Sequence, residues 1–224
     1  MVGLKPDFKK AYAIANDVLL MSHTIVTLPA DIHGHIKNET EIKLCSYETA
    51  MRKYGLDVSF FGSEDALITE MGGRYILFYK KMIDQHRMKW SIGHESGHYY
   101  LGHNLDFKSL SKEQYRIQEI EADFFAAQIL MPDQVIWELV NRGETPNRDN
   151  LIRWFDISAK AADKRMETLN KQSEYRDYYL NKHDNESIML KFSPLIERVS
   201  PKKYWQTSYE DEEEMQRERD KWLY

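Results

Sequence analysis

The chain has 224 residues, and its 31 Lys and Arg against 36 Asp and Glu give a formal net charge of −5. This balance disfavours a dedicated nucleic-acid binder, which needs a basic excess to neutralise phosphates. Apolar residues make up 42% and charged residues 30%, which is typical of a soluble globular protein and not of a disordered one. The single cysteine, Cys45, excludes an internal disulfide framework and fits a reducing compartment. The N-terminal residues carry no export or membrane signal, so we expect a cytoplasmic protein.

The first quarter of the chain combines helical and strand patterns. Apolar residues recur at helical spacing over 7–21, which predicts an amphipathic helix. A short helix is expected over 29–36, opened by its proline, and alternation over 42–44 predicts a half-buried strand. Ser46 is a typical N-cap, and the helix that follows it should end at Gly55.

A β-hairpin is predicted next. Its strands, 67–70 and 74–80, flank Gly72-Gly73, and glycine reaches the positive φ of a two-residue turn without steric cost. Both faces of the second strand are largely apolar, so we expect this strand to be covered on both sides.

The region from 84 to 169 is helical in several pieces. The first piece should end at Gly102, which is placed like the glycine that follows a helix C-terminus. The second begins at Ser111, which forms a capping-box pattern with Gln114, and it cannot continue through Pro132. Further helices are predicted over 133–143, over 146–155 after a Thr145-Pro146 cap, and over 159–170 after Ser158.

The composition changes beyond Asn170. Aromatic residues lie there among charged ones, and an acidic run spans 210–214. We interpret 171–224 as an α-rich extension of unknown role, with a strand at 188–192 and a terminal helix. The acidic run is interpreted as a solvated face in preference to a partner-binding tail.

The run His94-Glu95-Ser96-Gly97-His98 carries the pattern H-E-x-x-H. At 100° per residue, the two histidines lie about 40° apart on one face of a helix, so both imidazoles can reach one ion. Glu95 points about 100° away from His94. It therefore suits a base that reaches toward water on the metal better than a ligand on the same stripe.

A catalytic zinc ion normally takes three protein ligands and keeps one position open for water. The next helix offers Glu119 and Glu121 as the third ligand. On a helical wheel Glu121 falls inside a largely apolar sector, whereas Glu119 falls almost opposite that sector. An unpaired carboxylate on a buried face is costly unless a cation compensates it. We therefore predict Glu121 as the third ligand.

The alternative interpretation makes His94 and His98 core histidines, with Glu121 paired to a lysine. The glutamate on the buried face of the following helix favours the metal site over this alternative. Gly97 adds support, because a glycine inside a helix costs about 1 kcal/mol relative to alanine and close approach of the second helix would explain it.

Two segments of the chain resemble the ImmA/IrrE family of metallopeptidases. They are the motif from His94 to His103 and the run 119–132 (EIEADFFAAQILMP). The resemblance covers about 25–169 and is specific in the two metal helices. It implies Zn²⁺ bound by His94, His98 and Glu121, with Glu95 as general base. It also implies a gluzincin-like metalloendopeptidase that cleaves a cytoplasmic repressor, often encoded by a mobile element or a stress-response locus.

Two familiar zinc-site patterns are not matched. Leu101 and Asn104 stand where a metzincin would carry glycine and histidine, so His103 is not a ligand of that type. In thermolysin-like enzymes an acidic residue four positions after the glutamate ligand orients a histidine, and that position holds Phe125. Candidates for orienting the ligands are therefore Gln118, Asp123 and His103. The group that stabilises the oxyanion stays open: Tyr99, Tyr100 and His103 are near in sequence, and packing or capping is the favoured role of each.

We expect an α+β protein with a small antiparallel or mixed sheet, a helical zincin-like metallopeptidase core over 1–170 and the extension 171–224. A helix-turn-helix repressor is the expected protein substrate, with no direct nucleic-acid or membrane contact. Two alternatives remain. One is a non-catalytic zinc module that binds a repressor. The other is DNA binding through the helices at 146–155 and 159–170, for which a packing pair is the favoured interpretation.

Overall fold

Helices precede, flank and follow a small sheet in the computed structural model, which describes residues 5–57, 65–170 and 182–201. Within these residues the chain is mostly helical, and the α+β prediction is confirmed. In chain order the elements are α1 (Phe8–Met21), α2 (Ile32–Glu39), β1 (Lys43–Ser46), α3 (Tyr47–Tyr54), β2 (Ala66–Met71), β3 (Arg74–Tyr79), α4 (Gln85–Tyr100), a 3₁₀ turn (Phe107–Ser109), α5 (Lys112–Leu130), α6 (Asp133–Asn141), α7 (Arg148–Phe155), α8 (Ala159–Asn170), α9 (Lys182–Lys191) and α10 (Ser193–Val199).

Local capping explains several helix ends. The side chain of Ser46 accepts a hydrogen bond from the backbone N–H of Thr49, and α3 ends at Gly55 with φ of 65°. Ser111 and Gln114 form the complete capping box at the start of α5. These contacts satisfy N–H groups that have no partner within the helix, which is why the predicted ends are confirmed.

The sheet has the strand order β1-β3-β2, with β1 parallel and β2 antiparallel to β3. Gly72 and Gly73 join β2 to β3 with φ of 60° and 73°, as the predicted hairpin turn requires. Leu77 belongs to the main core, whereas Phe78 belongs to a second cluster with Cys45. The central strand is therefore covered on both faces, as predicted.

Helix α5 lies at the centre of the helical layer, where it packs against α1, α4 and α8. Its last seven residues, 124–130, are all buried. Helix α4 runs beside both α5 and β2, so the two helices that carry the motifs meet next to one strand of the sheet.

Two helices begin later than the prolines suggested. Helix α2 starts after Asp31, whose side chain accepts from the N–H of Gly34, and not at Pro29. Helix α7 starts after Asn147, whose side chain accepts from Asn150 N. In both cases a side-chain oxygen that can bind the first-turn N–H groups decides the start.

The strand predicted at 188–192 is wrong, because these residues lie in α9 and in the turn that follows it. Ile188 and Phe192 are both fully buried, and they lie four residues apart, which is a helical repeat. A short apolar run cannot by itself distinguish strand from helix. Helix α9 packs against α1 and α6, and α10 packs against α6 and α9. The boundary at 170 stays a prediction, and the terminal helix and the acidic run lie outside the described residues.

None of the described helices combines the length and the apolar character that crossing a membrane demands.

Candidate metal centre

Helix α4 brings two imidazoles together. Its start is capped by Asp84, whose side chain accepts from two first-turn N–H groups, and the helix then runs without interruption through the motif. The Nε2 atoms of His94 and His98 lie 3.2 Å apart. His98 is buried, and His94 is half-buried. The helical spacing of the motif thus produces the convergence that the sequence predicted.

Glu119 of α5 completes the group. Its Oε2 lies 3.4 Å from His94 Nε2, and its Oε1 lies 3.4 Å from His98 Nε2. Among the described residues, these three side chains form the group of donors close enough to share one metal ion.

The structure places Glu119, and not the predicted Glu121, beside the two histidines. Glu121 Oε2 lies 2.9 Å from Nε2 of His103, and Glu121 Oε1 accepts a hydrogen bond of 2.6 Å from the backbone N–H of Asp7. Three residues later Phe124 packs on Phe8, with ring centroids 5.2 Å apart. Glu121 therefore lies half-buried on the side of α5 that faces α1 and not on the side that faces the two histidines.

The side of α5 that faces α4 is marked by small residues. A Cβ at Gly97 would lie 3.2 Å from Cα of Ala122, and one at Gly93 would lie 3.5 Å from Cβ of Ala126. Glu119 lies one turn before Ala122 on this same side. The matching pairs of small residues, four apart on each helix, are the sequence signal that could have identified Glu119. The explanation of Gly97 by close helix approach is confirmed.

Asp123 orients His94. Its Oδ1 lies 2.9 Å from His94 Nδ1, and its Oδ2 lies 2.9 Å from Nζ of Lys164 in α8. A carboxylate only accepts, so the proton of the neutral imidazole resides on Nδ1 and the lone pair on Nε2. Asp123 therefore links His94 to Lys164.

A second chain of contacts orients His98. His98 Nδ1 lies 3.0 Å from Nδ1 of His103, whose Nε2 contacts Glu121. If His103 donates through Nε2 to the carboxylate, its Nδ1 accepts from His98 Nδ1–H, which leaves the lone pair of His98 on Nε2. His103 therefore contacts a histidine of the donor group, and Glu121 in turn contacts His103. Gln118 does not take part, because its amide pairs with the backbone O and N of Asn104 at 3.3 and 3.2 Å.

The donor set fits a tetrahedral metal ion. Bonds of about 2.0–2.1 Å from zinc to nitrogen or oxygen place neighbouring ligand atoms about 3.3 Å apart. The three donor distances here are 3.2, 3.4 and 3.4 Å. When Asp123 and His103 hold the Nδ1 protons of the two imidazoles, the lone pairs of both Nε2 atoms and of the Glu119 carboxylate face one another. A cation between these three atoms relieves their repulsion.

The pKa values describe how the site holds a proton when no metal is present. Burial alone lowers the pKa of His94, but hydrogen bonds to Asp123 and Glu119 outweigh it and raise the pKa to about 10. Burial lowers the pKa of His98 to about 4 despite the opposing effect of Glu119. Glu119 is itself subject to burial, which raises its pKa, but its hydrogen bonds to the two histidines lower the pKa overall. One positive charge therefore resides on His94, between the donors.

Glu95 lies beside the donors and is anchored by the sheet. Its Oε2 accepts a hydrogen bond of 2.8 Å from the backbone N–H of Ile68 in β2. Burial raises the pKa of Glu95 to about 7, against the lowering effects of His94 and of the Ile68 N–H. A carboxylate with this pKa can both accept and release a proton near neutral pH.

A cavity of about 760 Å³ opens over these groups. Its walls include Leu67 from β2, Trp90 from α4, Phe107 from the 3₁₀ turn, Tyr115 from α5 and Lys160 from α8. The three donors and Glu95 line the same space, so a polypeptide in the cavity can reach all four.

The groups near the motif in sequence face elsewhere. Tyr99 OH donates to Oε1 of Glu41 at 3.1 Å, and Tyr100 OH lies 2.7 Å from Nε2 of His35. None of Tyr99, Tyr100 and His103 is among the residues that line the cavity. Both hydroxyls are thus engaged outside the cavity.

Comparison with known families agrees with the geometry. The model of the Peptidase M78 family, described as the IrrE N-terminal-like domain, matches residues 51–167. The matched segment spans more than half of the chain and includes both α4 and α5. A comparison with curated proteins finds no match. The chain therefore belongs to the ImmA/IrrE family of metallopeptidases, through its IrrE N-terminal-like domain.

Proposed function

We propose that this protein is a zinc-dependent metallopeptidase that hydrolyses a peptide bond in a cytoplasmic regulatory protein, such as a helix-turn-helix repressor. The observation that carries the proposal is the convergence of three donors at 3.2–3.4 Å beside a carboxylate with a raised pKa. Membership in a metallopeptidase family supports it. The repressor as substrate rests on the resemblance to ImmA/IrrE proteins.

The ligands in this proposal are Nε2 of His94, Nε2 of His98 and the carboxylate of Glu119. When bound there, zinc supplies a Lewis acid that polarises a carbonyl and lowers the pKa of a bound water from 15.7 to about 7. Asp123 and His103 hold the two imidazoles with their Nε2 atoms directed at the ion.

Glu95 moves the proton. Its carboxylate accepts a proton from the attacking water, whose oxygen adds to the carbonyl carbon of the peptide bond. Glu95 then delivers that proton to the amide nitrogen as the C–N bond breaks, so that a free carboxylate and a free amine leave. The hydrogen bond from Ile68 N to Oε2 fixes the side chain during both transfers. The pKa of about 7 suits a group that must act first as base and then as acid.

The decisive experiment compares the zinc-loaded protein with its Glu95→Gln variant. Each is incubated with a helix-turn-helix repressor encoded next to its gene, and the products are identified by mass spectrometry. We expect one zinc per chain in both proteins, and cleavage at a defined bond by the wild type only. Glu41→Gln is the matched control, because Glu41 contacts Tyr99 and does not line the cavity.

The same experiment distinguishes the non-catalytic alternative. Cleavage by Glu95→Gln at the wild-type rate would contradict the role of Glu95. Binding of the repressor by both proteins without any cleavage would instead indicate a regulatory module whose zinc site is structural.

A further inference from the structure

We propose that Tyr115 is a further catalytic residue, whose hydroxyl donates a hydrogen bond to the carbonyl oxygen of the scissile peptide bond as negative charge develops on it. This inference rests on the proposed peptidase function. It supplies the oxyanion stabiliser that the motif residues do not supply.

The position of Tyr115 on α5 carries the inference. It lies four residues before Glu119, so both side chains project from the same side of the helix, the side that faces α4. Tyr115 lines the cavity together with His94, His98 and Glu95. Burial raises the pKa of the Tyr115 phenol, and the charge of Glu119, a hydrogen bond with Glu119 and the charge of Glu95 raise it further. The hydroxyl therefore lies beside the carboxylate of Glu119, at the edge of the donor group.

Phe107 holds the phenol ring in place. The rings of Phe107 and Tyr115 meet edge to face, with centroids 5.6 Å apart and planes at 85°. Phe107 also contacts the ring of His98, with centroids 5.6 Å apart and planes at 75°. One aromatic side chain thus sets the spacing between Tyr115 and a ligand histidine. Such pre-positioning matters because an oxyanion donor is effective when it needs no reorganisation during the reaction.

The chemistry of a phenol suits this role. An ordinary tyrosine is protonated at neutral pH and can donate one hydrogen bond without adding a full charge to the site. Tyr115 is 43% exposed, so its hydroxyl can meet a substrate in the cavity. The donors nearest to the motif in sequence are excluded, because Tyr99, Tyr100 and His103 do not line this cavity.

Three cationic side chains also line the cavity and compete as charged donors: Lys108, Lys112 and Lys160. All three are exposed, and within the part of the chain that the structure describes no aromatic ring contacts their ammonium groups. A charged group on a long flexible side chain must be ordered during the reaction, whereas the phenol is already held by Phe107. The geometry therefore favours Tyr115.

The test uses the zinc-loaded full chain and a pool of internally quenched peptides as substrate probe. We compare Tyr115→Phe with Tyr99→Phe, a matched control that also loses one hydroxyl but outside the cavity. Tyr115→Phe should lower kcat by about 10²–10³-fold with little change in KM and with unchanged zinc content. Tyr99→Phe should keep the wild-type kcat. The Lys112→Met variant should change kcat by less than tenfold.

A second readout separates a catalytic role from a structural one. A phosphinic peptide imitates the tetrahedral transition state, whereas a peptide hydroxamate binds zinc without imitating it. Tyr115→Phe should weaken binding of the phosphinic peptide by the same factor as kcat/KM and leave hydroxamate binding unchanged.

The outcomes are distinguishable. If the wild type cleaves no peptide and no repressor, the proposed function fails. If the wild type cleaves and Tyr115→Phe cleaves equally fast with unchanged phosphinic-peptide affinity, the inference about Tyr115 is wrong while the proposed function stands. A large loss of kcat in Lys112→Met, with none in Tyr115→Phe, would likewise overturn it in favour of the lysine.

Discussion

Glu119 and Glu121 are two positions apart on α5, and their carboxylates serve different histidines. Glu119 lies 3.4 Å from Nε2 of both His94 and His98, whereas Glu121 lies 2.9 Å from Nε2 of His103. Side chains two positions apart on a helix point about 200° away from each other. The carboxylates of Glu119 and Glu121 therefore lie on nearly opposite sides of α5. Glu119 therefore belongs to the donor group, whereas Glu121 contacts His103, which in turn contacts His98.

The two glutamates should differ in their effect on metal binding. Glu119→Ala removes a donor, so we expect no stoichiometric zinc at a buffered free zinc concentration that saturates the wild type. Glu121→Gln removes the negative charge next to His103 and the Asp7 N–H but no donor of the group, so the zinc affinity of this variant should fall by about 10–100-fold. Competition with a chromophoric chelator measures both. If Glu121→Gln lost the metal while Glu119→Ala retained it, Glu121 would be the third ligand, as the sequence predicted.

Asp123 should contribute to zinc affinity without being a ligand. Asp123→Asn keeps the shape of the side chain but removes the charge that fixes His94 and pairs with Lys164. We expect a zinc affinity about 10–100-fold weaker. Asp163→Asn is the matched control, because Asp163 forms an exposed ion pair with Arg148 away from the metal centre. Equal affinities of the two variants would contradict an orienting role for Asp123.

Zinc should compete with a proton for His94. In the metal-free protein the pKa of His94 is raised to about 10, so its imidazole carries a proton at pH 7. That proton must leave before Nε2 can bind zinc, so affinity should rise with pH below 10 by about tenfold per unit. Calorimetry in buffers of different ionisation enthalpy should detect release of about one proton at pH 7. Binding without proton release would show that His94 is already neutral.

The two glycines of α4 should respond differently to alanine. At Gly97 a Cβ would lie 3.2 Å from the backbone of Ala122, so Gly97→Ala should push α4 and α5 apart and destabilise by about 1–3 kcal/mol. At Gly93 the nearest atom lies 3.5 Å away, an ordinary contact, so the helix preference for alanine should prevail. Gly93→Ala should be neutral or stabilising by up to about 1 kcal/mol. Denaturant unfolding of both variants measures the difference, and equal stabilities would contradict it.

Local features of the fold were predictable because their causes are local. A side-chain oxygen at Ser46 or Ser111 satisfies free N–H groups within three residues, and Gly72-Gly73 permits the hairpin turn whatever surrounds it. The pairing of His94 with His98 follows from helical geometry alone. The prediction was wrong where a short segment was ambiguous, as at 188–192. Its first four residues belong to α9, which packs against α1 and α6.

The choice of Glu119 over Glu121 could not be made from apolar periodicity. Helix α5 is buried on more than one side, so its apolar residues form no single stripe that identifies the neighbour at each angle. The side of α5 that faces α4 is the side on which small residues allow the two helices to approach closely. This close approach can be seen only in the packed structure.

The sequence by itself determined that the imidazoles of His94 and His98 lie on one face of a helix and that the carboxylate of Glu95 lies beside that face. The reason is that the spacing of residues along a helix dictates the angle between their side chains. Only the tertiary structure decided which carboxylate lies next to the two imidazoles, which side chains contact them from behind and which tyrosine lines the cavity. These depend on contacts between residues that are distant in sequence, and packing of whole helices, not local periodicity, sets such contacts.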